Sequence, residues 1–159
     1  MHIQIKRYEE AFKCEVEKIA IEAWTPIRAS FKNQLGADIY NFVFDNWQEK
    51  KKEVVVDELS SVYGYVVLVD GNVAGFFSFY YDEKTKTGEI GNNALSFDYK
   101  GKGIAQQVYN FIFEELKKLG AKMVIVTTGL DDGHIPARKA YEKAGFKCNL
   151  KSITYYKEI

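Results

Sequence analysis

Cysteine, histidine and net charge are all scarce in this 159-residue chain, and each shortage removes a class of function. Two cysteines (Cys14 and Cys148) and two distant histidines (His2 and His134) fit neither a disulfide framework nor a metal-ligand spacing, so no metal is expected. The 22 basic and 22 acidic residues cancel, which leaves no bulk attraction for a polyanion, and nucleic acid is not an expected partner. A local cationic pocket stays open, because a field depends on arrangement as well as on sum. No stretch has the length needed to span a bilayer, and residues 1–7 carry no apolar signal core. A cytoplasmic protein with reduced thiols and no membrane partner is therefore expected. No Gly-x-Ser-x-Gly elbow occurs, and neither cysteine has a histidine partner beside it, so covalent catalysis lacks a nucleophile constellation. Repeats, low-complexity tracts and linkers are absent too, and residues 1–159 read as one domain.

What is present is a strong alternation of strand and helix patterns, in a chain that is 47% hydrophobic and 15% aromatic. Ile3 and Ile5 alternate with polar neighbours, which suggests a first strand. Val16, Ile19, Ala20, Ala23, Trp24 and Ile27 follow helical spacing from Phe12, with Pro26 expected to kink or break that helix near Trp24. A second helix is expected over Leu35, Ile39, Phe42, Val43 and Trp47, running into the charged residues 49–53. Residues 62–69 and 73–81 are rich in β-branched and aromatic side chains, and Asp70-Gly71-Asn72 between them is a hairpin signal. Residues 82–87 form a second turn and 88–97 a third antiparallel strand. Ile104, Val108, Phe111, Ile112, Leu116 and Leu119 mark one helix face that Gly120 stops. Residues 123–128 read as a strand covered on both faces. A helix over 135–143 with Pro136 in its first turn comes next, then Gly145 and a last strand or hairpin over 146–156. The expected fold is α/β, a mixed sheet in which an antiparallel meander is followed by one βαβ crossover, with helices on both faces.

The junction Lys100-Gly101-Lys102-Gly103-Ile104-Ala105 lies between a strand and a helix. Two glycines let the backbone turn sharply and approach a ligand, and the following helix directs its unpaired N–H groups into the turn. This is a phosphate or pyrophosphate site in waiting. A Walker A loop is excluded, because Gly103 follows Gly101-Lys102 where Ser or Thr is required. A dinucleotide fingerprint fits poorly, since Gln106 stands at the third glycine and the next strand ends in Thr127-Thr128-Gly129. The alternative is a plain turn whose glycines serve geometry only.

The segment 98–105 resembles the acetyl-CoA-binding signature of the GNAT superfamily of N-acetyltransferases, Gln/Arg-x-x-Gly-x-Gly/Ala, with Gly103 and Ala105 in place. Lys100 stands where that signature has Gln or Arg, keeping the charge and losing the bidentate fork. Downstream, residues 134–146 resemble a second signature, Asn-x-x-Ala-x-x-x-Tyr-x-x-x-Gly-Phe, matching at Ala137, Tyr141, Gly145 and Phe146 and departing at His134. The resemblance covers about 62–156 as an acetyl-CoA-binding core; about 1–60 corresponds to the variable, acceptor-side segment. It implies a three-layer α/β/α fold with splayed central strands, and an acetyl group carried from acetyl-CoA to a primary amine by direct attack.

The same resemblance implies the site. The backbone of Gly101, Lys102, Gly103, Ile104 and Ala105 would hold the diphosphate, with Lys100 and Lys102 adding charge. Pantetheine would pair with the strand ending at Leu95, Ser96 and Phe97, and the Leu95 N–H would polarise the thioester carbonyl. Tyr141 is the candidate acid for the leaving thiolate, since a phenol titrates near 10 and a thiol near 8.5; the competing reading is a tyrosine packed under Phe146. Glu89 is the candidate base for the ammonium, or else an exposed strand carboxylate beside the 84–86 turn. His134 would contact the cofactor or cap its helix, and Arg138 lies on a solvated helix face or near a phosphate. Trp24, Arg28, Phe31 and Tyr40 fall on the acceptor side by position alone. The partner is a small-molecule or peptide amine, and a homodimer through the edge strand or last hairpin is expected. The rival functions are a non-catalytic acyl-CoA-binding or regulatory domain and a nucleotide-binding module.

Overall fold

The computed structural model of the chain describes residues 1–61 and 63–159. The N-terminal alternation forms strand β1 (Ile3–Arg7), followed by helices α1 (Lys13–Leu35), α2 (Ala37–Val43) and α3 (Trp47–Leu59). Strands β2 (Gly64–Val69), β3 (Asn72–Asp82) and β4 (Thr87–Leu95) form the meander. Helix α4 (Ile104–Leu119), strand β5 (Met123–Val126) and helix α5 (Ile135–Lys143) follow. The expected start of the second strand at Val62 lies outside the described residues. Among the described residues one sheet runs β1-β2-β3-β4-β5, antiparallel except for the β4–β5 pair, which is parallel and bridged by α4.

β2 shows why helices cover both faces. All six of its residues are buried, and their period of two divides them between layers. Tyr65, Val67 and Val69 pack with Ile104, Val108, Ile112 and Leu116 of α4 and with Tyr141 of α5. Val66 and Leu68 pack with Val16, Ile19 and Ala20 of α1 and with Val55 and Leu59 of α3. The result is the three-layer α/β/α arrangement. Asp70 and Gly71, at φ 48° and 86°, make the two-residue turn between β2 and β3.

Four expectations are corrected. Pro26 does not interrupt α1, which runs through it as one helix of 23 residues. An interior proline costs about 3 kcal/mol. Burying Val16, Ile19, Ala20 and Ile27 on the same helix offsets that at roughly 1.5–3 kcal/mol per large side chain. The single second helix is two helices, α2 and α3, because Asn46 adopts φ 52° between them, a conformation Asn tolerates.

β5 is not covered on both faces: Met123 and Ile125 are 63% and 48% exposed, because α1 and α3 lie over β2 to β4 and leave this strand bare. Finally, no strand follows α5 among the described residues, so the last strand or hairpin over 146–156 is absent. Its apolar alternation slips phase between Leu150 and Ile153, and a slip of one residue sends the following side chains to the opposite face. Leu150, Ile153 and Tyr155 accordingly remain exposed.

Candidate functional site

β4 and β5 are paired only from Thr87–Met123 to Ile90–Val126, while β4 runs on alone to Leu95. The two strands therefore part after Ile90. The Ser96 N–H donates to the Ala74 carbonyl at 2.9 Å, which places Leu95, opposite Gly75, in a non-hydrogen-bonded pair. Its own N–H and C=O point away from β3 and into the fork. A cavity of about 870 Å³ occupies this fork, reaching from Trp24 on α1 to the turn before α4 and to Tyr141 on α5.

The turn at the mouth of the cavity is built by its glycines. Gly101 and Gly103 have φ of 75° and 78°, and a Cβ on either would meet no atom within 4 Å. Backbone conformation, not space, therefore requires glycine here. Gly103 caps α4 without any side-chain acceptor, and the first turn of α4 carries no acidic residue. The N–H groups that open the helix, and the positive end of its dipole, are thus unneutralised by the protein beside the cavity.

Of the residues singled out in the sequence, Glu89, Leu95, Phe97, Lys100, Gly101, Gly103, Ile104, Ala105, His134 and Tyr141 all line this one cavity, whereas Ser96 and Lys102 do not. The Phe97 N–H is already committed, donating to Glu22 Oε1 at 2.7 Å, with Ser96 Oγ 3.5 Å from the same oxygen. Glu22 thereby fastens α1 to the end of β4. The Lys100 ammonium lies 3.7 Å from the centre of the Phe97 ring, and partial burial lowers its pKa against the pull of Glu22. Lys102 sits 5.3 Å above Tyr99.

Tyr141 is buried, and both its packing and its hydrogen bonding are defined. Its ring meets Phe146 edge-on at 5.9 Å, while its hydroxyl oxygen accepts from Asn93 Nδ2 at 3.1 Å. Asn93 Nδ2 also donates to the Gly91 carbonyl at 3.0 Å, and Tyr109 donates to Asn93 Oδ1 at 3.3 Å. Burial raises the pKa of both phenols, Tyr109 the further, so each keeps its proton at neutral pH. With its oxygen already accepting from Asn93, the Tyr141 hydroxyl has its proton left to give.

On the other face of the sheet, β4 bulges: Phe77 pairs with Asn93 but Phe79 with Ile90, so Ser78 faces both Gly91 and Asn92. The Glu58 carboxylate of α3 fills this bulge, accepting from Ser78 Oγ, from the Asn92 N–H at 2.6 Å and from Asn92 Nδ2 at 2.6 Å. A Cβ on Gly91 would collide with Glu58 and Ser78. Glu89 is exposed and stands across from Tyr80 in the paired part of the fork.

His134 ends a 3₁₀ turn (Asp132–His134), and its Nδ1 lies 2.5 Å from Asp131 Oδ1. That turn is pressed onto α1, since a Cβ on Gly133 would approach Ile27 Cα to 2.6 Å. Arg138 neither points to solvent nor stands free for a phosphate: it donates to the carbonyls of Gly129 and Asp131 at 2.7 and 2.9 Å, clamping the loop. Asn93, Tyr109, Glu58 and Glu22 went unnoticed in the sequence. The available signal was Gly91-Asn92-Asn93 within a strand, residues that strands disfavour and bulges accept. Glu58 and Glu22 have no signal, being two carboxylates among many on helices.

Comparison with known proteins agrees with this geometry. A sequence model described as the acetyltransferase (GNAT) family matches residues 16–146. The uncharacterized N-acetyltransferase YsnE of Bacillus subtilis (strain 168) is 40% identical over 63 residues, a match spanning 40% of this chain and 42% of that protein. Among solved structures, the PaiA N-acetyltransferase of Thermoplasma acidophilum in complex with coenzyme A superimposes with a TM-score of 0.73 at 18% identity, covering 96% of this chain and 94% of its own. The ribosomal-protein-S18-alanine N-acetyltransferase of Escherichia coli gives 0.65 at 15% identity, over 92% of this chain and 78% of its own.

Proposed function

The chain belongs to the acetyltransferase (GNAT) family and is an acyltransferase, and from that premise we propose that it transfers the acetyl group of acetyl-CoA to a primary amine by direct attack. The observation that carries this reading is the fork itself: outward-facing main chain at Leu95, an uncapped α4 behind Gly101 and Gly103, and a protonated Tyr141 share one cavity. In this reading the N–H groups of residues 101–105 hold the diphosphate of the cofactor, and Lys100 and Lys102 supply nearby charge. The pantetheine arm runs along the free edge of β4 near Leu95, Ser96 and Phe97. His134 meets the cofactor at the head of α5.

The chemistry assigned to the chain is proton handling and charge stabilisation. Glu89, directly or through water, takes a proton from the acceptor ammonium, so that the neutral nitrogen can form its bond to the carbonyl carbon. The Leu95 N–H steadies the oxyanion, a role whose loss typically costs ~10²–10³ in rate. As the carbon–sulfur bond breaks, the sulfur takes the Tyr141 proton, and the proton shed by the nitrogen as it becomes an amide passes through solvent to restore the phenol. Residues 1–60 form the acceptor side of what works as a single domain, in the cytoplasm and as a homodimer; a monomer-only size-exclusion profile would reject the last point. No helix among the described residues is long and apolar enough to cross a membrane.

The test is a screen of amine acceptors with thiol release as readout, run on the wild type and on the pair Tyr141→Phe and Glu89→Gln. Acetylation by the wild type, and slowed turnover with intact CoA binding in the variants, is the expected result. CoA binding without turnover of any amine would favour a non-catalytic domain, and tight NAD binding without CoA binding would remove the reading altogether.

A further inference from the structure

Two cations without a salt-bridge partner among the described residues line a smaller cavity, and one of them touches Trp24 and Asn92 of the large one. Arg28 on α1 has its guanidinium carbon 4.6 Å from the centre of Phe44, and 5.5 Å from those of Phe31 and Trp47. No carboxylate pairs with it among the described residues, and its Nε is buried without a hydrogen-bond partner. The terminal N–H groups of Arg28 are not among the buried orphans and make no hydrogen bond among the described residues, so they are the groups left to meet an anion.

Lys51 on α3 lies beside it, with its ammonium 3.6 Å from the centre of Trp24 and donating to Asn92 Oδ1 at 2.6 Å. Trp24 and Asn92 line the large cavity, whereas Arg28 and Lys51 line an adjoining one of about 240 Å³ together with Phe44, Trp47, Lys50 and Asp45. Asp45 is exposed and makes no ion pair with these cations, and Glu58 is occupied by Ser78 and Asn92. Burial, and then the neighbouring Arg28 charge, press the Lys51 pKa down to about 8 against the pull of Glu58.

Resting on the acetyltransferase reading, we propose that the acceptor is an amine that also bears an anionic group, carboxylate or phosphate, held by Arg28 and Lys51 while its nitrogen faces the fork. Two cations beside the cavity attract such a zwitterion and repel a polycation; the aromatic rings around Arg28 exclude water and strengthen the pairing. The chain is neutral overall, so selection arises from this local arrangement.

The experiment measures kcat and KM by thiol release with the full-length protein at saturating acetyl-CoA, over matched acceptors. These are phenylalanine against phenylalaninamide, phosphoethanolamine against ethanolamine, and spermidine as the polycation. The expected result is a KM at least about tenfold lower for one acid than for its neutral partner, with the carboxylate and phosphate arms telling which anion is used. Arg28→Gln should raise the KM of that acid by about 10–100-fold, the loss of one charge-assisted hydrogen bond, and leave its neutral partner and kcat near wild type. Lys51→Gln should act in the same direction, so the test does not depend on one variant folding.

Equal use of acid and neutral amine, preference for spermidine, or an equal effect of Arg28→Gln on both partners overturns the inference and leaves the acetyltransferase reading standing. No turnover of any amine and no CoA binding overturns both.

Discussion

Replacing Tyr141 by Phe removes one oxygen from the centre of the site, and the structure limits what else changes. The ring keeps its contacts with Phe146 at 5.9 Å and Tyr109 at 5.5 Å. Asn93 Nδ2 loses one acceptor but keeps the Gly91 carbonyl at 3.0 Å, and Asn93 Oδ1 keeps Tyr109. The hydroxyl also interacts with that of Tyr109, so the stability cost is that of one to two ordinary hydrogen bonds, about 0.5–3 kcal/mol, in a protein of this size about 2–4 °C of Tm per kcal/mol. The kinetic cost is larger. A positioned general acid contributes ~10²–10⁴ in rate, or about 2.7–5.4 kcal/mol of barrier at 1.36 kcal/mol per decade. Thiol-release kinetics, a thermal melt and CoA calorimetry on the same variant separate the two. The expected pattern is a kcat lower by at least a hundredfold, a small fall in Tm, and an unchanged CoA Kd. A kcat within about threefold of wild type would refute the assignment of Tyr141 as proton donor, whatever the melt shows.

Three further outcomes follow from particular contacts. Gly103→Ala forces a side chain into φ 78°, which costs roughly 1–2 kcal/mol and tilts the N–H groups that open α4; CoA affinity should fall about tenfold or more by calorimetry, whereas Gly103→Asn, which accepts that conformation, should lose less. Gly91→Ala sets a methyl against Glu58 and Ser78, and the strain of overpacking should lower stability by about 1–3 kcal/mol in denaturant titration. The depressed Lys51 pKa gives a pH signature with a defined sign. Between about 8 and 10.5 the unfolded chain binds a proton there that the folded chain does not, so folding stability gains with rising pH over that window. Lys51→Met should abolish this gain, seen as a flatter difference curve of unfolding free energy between pH 7 and 10.5; parallel curves would show that the buried ammonium is not the cause.

The half of the molecule built on α4 and α5 was legible in the sequence because its information is local. α4 and α5 begin and end at residues that cap, break or repeat: Gly103 and Gly120 around one, Pro136 and Gly145 around the other. The N-terminal helical half was legible only in outline. Pro26 is absorbed into α1 because the sheet buries that helix, a tertiary effect that no local rule carries. The composition of residues 146–156 suggests a strand, yet a strand needs a consistent face, and their alternation slips. The polar layer of Glu58, Ser78 and Asn92 joins residues up to 34 positions apart through a bulge, and its pairing exists only once β3 and β4 are in register.

In the proposed complex, main-chain amides of residues 101–105 grip the diphosphate of coenzyme A, with pantetheine lying in the fork between β4 and β5. A cocrystal structure with acetyl-CoA tests it most directly. Diphosphate oxygens are expected within hydrogen-bond distance of those amides, with the thioester carbonyl facing the Leu95 N–H. A cofactor bound elsewhere with that turn left bare, or β4 and β5 zipped together beyond Ile90 and Val126, would contradict it.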